Sequence, residues 1–449
     1  MTYRTPVFGR LYRFVAIVLL CFISNSILFF DWFDLWKWYF LCVVVFLLLN
    51  IFPSVTKKDY PSFRWRMCSH GNELLIYFSV SAVVSVVYQI WFVVTFSGQN
   101  NLPALLLSVG ICALYENLLL LGGLIAVFFT SQQLGIKYRI LTLLFFFIPV
   151  VRWFLVIRII RIVNTEINFE IFRYRRNCQR KNEKVCATKY PVLLVHGVFF
   201  RDSRYFNYWG RIPEELTQNG AKIYYGNHQS ALSIKDSAEE LAERIREIVR
   251  KENCGKLNII AHSKGGLDCR YAISELGCDK YVATLTTINT PHRGCHFAEY
   301  LLTNLPEKVT SGIADKYNFA LKKLGDKNPD FISAVSCLTA KYCEELNNTI
   351  HDSSKVVYRS VGSKLNRATN GQFPLNFSYH LVKFFDGDND GLVSETSFSF
   401  GEKYTYLTTK GKRGISHADV IDLNRENIQN FDVREFYVSM VSQLKQEGF

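Results

Sequence analysis

A chain of 449 residues exceeds one ordinary domain, so two folding units are expected. The net charge is +13, and residues 1–184 carry 19 Lys+Arg against 8 Asp+Glu, or +11 of that total. The basic excess therefore requires no nucleic-acid partner and suits an anionic lipid surface. Twelve cysteines without one C-x-x-C pair give no sign of a zinc site or a disulfide framework.

Aromatic residues make up 15% of the chain, and the apolar ones are unevenly spread. A bilayer core needs about 20 apolar residues as a helix. Leu11–Phe30, Leu35–Phe52, Leu74–Phe96 and Pro103–Thr130 qualify, and Ile140–Ile160, interrupted by Arg152, is a fifth candidate. Residues 1–164 are thus expected to form a multi-pass transmembrane domain of four or five helices. Arg4, Arg10 and Arg13 precede the first span, but no small-residue cleavage site lies near Phe29-Phe30-Asp31, so an uncleaved anchor is expected. Asp31 and Asp34 fill the first loop, and Lys57, Lys58, Arg64 and Arg66 the second. The segment between Ser97 and Leu102 is uncharged, and Lys137 and Arg139 occupy the fourth loop. With four spans, this alternation puts the basic run from Arg173 to Lys184 on the cytoplasmic face; five spans put it outside. The plasma membrane is the expected location. Glu116 falls mid-span. A carboxyl there marks either a functional site or a group that holds helices together, protonated or paired with Arg139 or Arg152.

Residues 165–188 are polar and basic and read as a linker. The pattern then changes. Pro191–Val195, Leu257–Ala261, Val282–Ile288 and Val356–Val361 are strand-like runs, and Ser237–Arg250 has helical spacing. Strand–helix alternation implies a parallel sheet covered on both faces. Within it, LNIIAHSKGGLDCR (257–270) has the form of a nucleophile elbow, with Ser263 at the turn. Gly265 is small two places after the serine, and Ala261 replaces the usual glycine two places before. His262 precedes the serine. After the first strand, His196-Gly197-Val198 lets a loop approach the serine, and the N–H groups of Val198 and Lys264 would form a two-donor oxyanion hole. The acidic turn Asp386–Asp390 and then His417 follow, so Ser263, Asp390 and His417 stand in the order of a hydrolase triad. His417 would take the serine proton and Asp390 would orient it.

YPVLLVHGVF (190–199), IIAHSKGG (259–266), TTINTPHRG (286–294), NDGLV (389–393) and SHAD (416–419) resemble, in the same order, the secreted bacterial triacylglycerol lipases. The resemblance covers most of residues 189–425. It implies an α/β-hydrolase fold for 189–449, Ser263/Asp390/His417 as triad, Val198 and Lys264 as oxyanion donors, and a structural rather than catalytic His292. It also implies a lid-like insertion over 296–348. Those lipases often bind a structural calcium near the catalytic histidine. Asp419 matches one ligand position, and Leu423 stands where a polar ligand is expected; no other cofactor is implied. Ala261, Lys264 in place of a common glutamine, and the membrane half are departures from the family.

The expected protein is a membrane-anchored serine ester hydrolase acting on lipid acyl esters, with the bilayer and a lipid as its partners. Thioesterase or amidase chemistry uses the same constellation. The rival from another class is a non-catalytic scaffold or transport component with a hydrolase-like binding domain. Nothing in the sequence speaks to oligomeric state.

Overall fold

The computed structural model describes residues 6–27, 36–96, 102–198, 207–229 and 231–449. The chain forms two compact units, Met1–Gln179 and Arg180–Phe449. The acidic first loop, the residues between Ser97 and Leu102, and Phe199 lie outside the described residues.

In the first unit, helices α1 (Val7–Ser24), α2 (Tyr39–Ile51), α3 (Phe63–Phe96), α4 (Leu102–Thr130), α5 (Gly135–Leu144) and α6 (Pro149–Arg180) follow in order. Helices α1, α3 and α4 are long and apolar enough to cross a membrane, which is compatible with insertion. Helix α2 is shorter than the span expected at Leu35–Phe52. Pro53 disfavours the helical conformation at the residue before it, and Phe52 is extended at ψ 132°. Its 13 residues reach about 20 Å, less than a hydrocarbon core of about 30 Å.

The candidate span Ile140–Ile160 is not one helix. Helix α5 stops at Leu144, and Pro149, which lacks an N–H, opens α6 at a position where none is needed. The basic stretch expected as a linker is helical as far as Arg180. Val156, Ile159, Val163, Ile167 and Ile171 recur every three or four residues and are buried, a stripe that survives among the surrounding charges.

The first unit carries apolar residues outward and polar ones inward. Phe14, Val87, Val94 and Phe129 are exposed. Inside, Arg13 forks onto both oxygens of Glu73 at 2.7 Å. Among the described residues Glu116 accepts from Ser81 at 2.8 Å and Ser85 at 3.3 Å and from no arginine. Arg139 instead donates to the Ser131 carbonyl, and Arg152 reaches Asn117. This polarity pattern suits a hydrocarbon surround.

Helices α3 and α4 pack backbone to backbone through glycines. A Cβ on Gly123 would lie 2.8 Å from Leu75 Cδ2, and one on Gly71 would lie 2.7 Å from Ala126 Cβ. Gly123→Val should therefore force the helices apart and cost about 1–3 kcal/mol. Gly110→Val, with open space at its Cβ, should be near neutral. Thermal unfolding of the two detergent-solubilised variants checks this; equal melting would contradict it.

In the second unit, strands β1 (Val192–Val195), β2 (Ile223–Tyr225), β3 (Leu257–His262), β4 (Val282–Ile288), β5 (Val357–Ser363) and β6 (Lys403–Leu407) form one parallel sheet in the order β2-β1-β3-β4-β5-β6. Alternate side chains go to opposite faces. Val192, Leu194 and Ile260 pack with Trp209, Ile212 and Tyr437, while Leu193, Val195 and Ile259 pack with Leu241, Ile245 and Cys269. Both faces are buried, as a parallel sheet requires. Helix α7 (Ile212–Gln218) lies in the first cluster and α8 (Ile234–Glu252) in the second. Helix α9 (Lys264–Ser274) follows β3 directly. Four helices, α10 (His296–Asn304), α11 (Glu307–Leu324), α12 (Phe331–Ser336) and α13 (Ala340–Thr349), occupy the segment between β4 and β5. The chain leaves β1 for β2 on one side and returns to β3 on the other. Ligands in such sheets bind beyond the strand ends at that switch point. A parallel sheet of this order with an elbow after β3 is the α/β-hydrolase fold.

Candidate active site

The register of β1 on β3 pairs Val195 with Ala261. The loop after β1 therefore meets the turn after β3. Ser263 sits in that turn at φ 55°, ψ −133°, a backbone that side chains other than glycine rarely adopt. Its neighbours pin it there: Ser263 N–H donates to the Ile288 carbonyl at 2.9 Å, and Thr290 Oγ1 donates to the Ser263 carbonyl at 2.8 Å. From Leu257 to Arg270 every residue is buried except Ser263, which is partly accessible.

The glycines around the serine are there because nothing larger fits. A Cβ on Gly197 would lie 2.7 Å from Ser263 Cβ. One on Gly265 would lie 2.4 Å from the His196 carbonyl oxygen. Ala261 is fully buried, so its methyl is accommodated. Val198, next in the loop, is buried as well. Lys264 is the first residue of α9, so its N–H has no carbonyl partner within the helix. Its side chain turns away from solvent, and Nζ bonds Asp268 at 2.7 Å and Ser237 at 2.9 Å. Burial lifts the Asp268 carboxyl to about 6, and the Lys264 charge opposes that rise.

On the other wall, Asp390 Oδ2 lies 2.6 Å from His417 Nδ1, and the His417 N–H donates to the Asp390 carbonyl at 2.9 Å. Asp390 is fully buried. Leu392 N–H and Val393 N–H donate to its Oδ1, and Asn289 Nδ2 donates to Oδ2 at 2.6 Å. Asp388 instead pairs with Lys364 at the surface, and Asp386 faces Cys295 and Phe297. The His417 ring lies 4.4 Å from the His262 ring, centroid to centroid. Among the described residues no hydrogen bond joins Ser263 Oγ to His417 Nε2. That bond is often long without substrate.

Three groups absent from the sequence reading complete the surroundings. Tyr208 Oη accepts from Gly197 N–H at 3.1 Å and lies 2.6 Å from His262 Nδ1, tying the loop after β1 to the elbow. Burial, with His417 adding to it, holds the His262 imidazole well below its usual range, so it stays neutral beside the tyrosine. Asn289, at φ 46°, is the donor to Asp390. Arg413 reaches Asp419, two residues past His417. His292 is buried, stacked on Phe400 and bonded to Thr287, which suits packing rather than catalysis.

Residues 218–325 match the family model described as "Putative serine esterase (DUF676)". A triacylglycerol lipase of Pseudarthrobacter phenanthrenivorans is 32% identical over 165 residues, which is 34% of this chain and 51% of the relative. Triacylglycerol lipase 2 of Saccharomyces cerevisiae is 27% identical over 273 residues, 55% of this chain and 78% of the relative. The crystal structure of mature Bacillus licheniformis lipase BlEst2 is 25% identical, covering 53% of this chain and 88% of its own, at TM-score 0.41. The likeness is to serine ester hydrolases. The chain spans about half the length of the first two lipases it matches, 51% and 46%.

The geometry singles out one aspartate. Asp390→Asn should lower kcat on p-nitrophenyl butyrate by about 10⁴-fold. Asp388→Asn, which breaks only a surface pair, should stay within about 2-fold of wild type. Steady-state kinetics on the two variants decides between them, and a collapse at Asp388 would reassign the acid.

Proposed function

We propose that this chain is a membrane-anchored serine hydrolase that cleaves lipid acyl esters. The observation that carries the reading is the elbow: one accessible serine on a strained backbone, in an otherwise buried run, at the switch point of a parallel sheet. In this reading His417 removes the Ser263 proton, and the hydroxyl attacks the ester carbonyl. Asp390 holds the imidazole and balances its charge. The Val198 and Lys264 N–H groups receive the oxyanion. The alcohol leaves with the proton from His417, and water then releases the acid from the acyl-enzyme.

Lipid as substrate is supported by the lipase relatives and by the apolar surface of the hydrolase unit. Helix α11 exposes Val309, Ile313 and Phe319. Helix α14 (Leu375–Asp386), which runs into the Asp390 turn, exposes Phe377 and Phe384. An amphipathic cover over residues 296–348 that opens at a bilayer fits this surface. We place the protein in the plasma membrane; the cytoplasmic face for the hydrolase unit rests on the basic run from Arg173 to Lys184 alone, because three long spans, unlike four, set that run opposite the basic N-terminus.

Ser263→Ala should lose fluorophosphonate labelling and ester hydrolysis while its melting temperature stays at the wild-type value. Labelling that persists in the variant would place the nucleophile elsewhere. Ile313→Ser with Phe319→Ser should lower hydrolysis of long-chain lipid in vesicles by about 10-fold and leave a soluble short-chain ester unaffected. Equal losses on both substrates would remove the surface role.

A further inference from the structure

We propose that Arg413 is the positioning cation of the His417 loop and that this loop requires no calcium. The inference rests on the serine-hydrolase reading of Ser263, Asp390 and His417. The loop is held at residues on either side of the histidine. Ser416 N–H donates to Asp419 Oδ2 at 3.0 Å, and Asp419 N–H donates to Ser416 Oγ at 3.1 Å, so two bonds bracket His417. Arg413 Nη2 then donates to the remaining oxygen, Asp419 Oδ1, at 3.0 Å and also to Glu426 Oε2. Glu426 Oε1 accepts from Gln372 Nε2. Farther along, Asp422 takes the N–H of Arg211 at 2.8 Å, its Nε at 2.8 Å and its Nη2 at 2.7 Å. Arg413 thus ties the segment from 413 to 426 to itself, and Arg211, from the loop after β1, ties it to the rest of the unit.

A calcium ion does not suit this donor set. Calcium takes six to eight oxygens at about 2.3–2.6 Å. Both oxygens of Asp419 already have donors, Leu423 offers no polar side-chain atom, and a full positive charge stands 3.0 Å from the carboxylate. The arginine does the electrostatic work of an ion while staying covalently attached. Gly414, at φ 74° and packed on Asn366 and Lys364, turns the chain so that Arg413 can fold back over the loop.

The test uses full-length protein in detergent with p-nitrophenyl butyrate. Wild-type kcat and melting temperature should be the same in excess EGTA and in millimolar calcium chloride. Arg413→Gln should lower kcat by about 10- to 100-fold through misplacement of His417, with KM little changed. Arg413→Lys, which keeps the charge, should recover much of that loss and serves as the readout if the glutamine variant does not fold. Loss of wild-type activity in EGTA with recovery in calcium, a calcium-dependent rise in melting temperature, or an unchanged kcat in both variants would overturn the clamp. Wild-type protein inactive and unlabelled by fluorophosphonate under every condition would instead sink the hydrolase reading, and the melting comparison would still decide the calcium question.

Discussion

The hydrolase unit depends on one unfavourable backbone. Holding a serine at positive φ costs about 1–3 kcal/mol, and such strain persists only where the surroundings over-determine it. Here the end of β3 cannot relax. The serine's N–H is bound to β4, its carbonyl is held by Thr290, and three glycines leave no slack beneath it. Adjacency of β1 and β3 follows from the sheet order, and that adjacency brings Gly197 against Ser263 Cβ. The exposed hydroxyl is thus a property of the whole sheet rather than of a local turn.

The two units handle charge in opposite ways. In the helical unit, polar groups face inward in matched sets such as Arg13 with Glu73, the arrangement an apolar surround would require. In the hydrolase unit, ion pairs stand at both ends of the sheet, and three of them lie beyond the C-terminal ends of strands. Lys264 with Asp268 lies under the elbow, and Arg211 with Asp422 and Arg413 with Asp419 lie past β6. Removing one member of a buried pair leaves an uncompensated charge, typically a loss of about 3–5 kcal/mol. Loops held this way have geometry as well as stability at stake.

Much of this was legible in the sequence because it was local. LNIIAHSKGG declared a strand, a turn and a helix, and alternating apolar runs declared a parallel sheet. The order of Asp390 and His417 after Ser263 marks them as candidates, and the structure brings their side chains within 2.6 Å. What escaped was carried by distant or masked signals. Tyr208 and His262 are 54 residues apart, and neither residue type announces the bond. The stripe that makes 149–180 a helix was hidden by its arginines, whose charge suggested a linker. Asp419 was read for its match to a metal ligand, while Arg413, six residues earlier, folds back only because Gly414 permits it.

The crowding at the glycines also restricts how such an enzyme can diversify. At Gly197, Gly265 and Gly266 any added carbon meets another atom at 2.7 Å or less, so the near wall of the site offers no position for tuning. Variation has more room in the helices between 296 and 349 and in α14, where large apolar side chains are already exposed. The exposed apolar helices and the crowded turn at Ser263 are thereby encoded in separate stretches of chain. Selection, or a designer, can revise the first without disturbing the second.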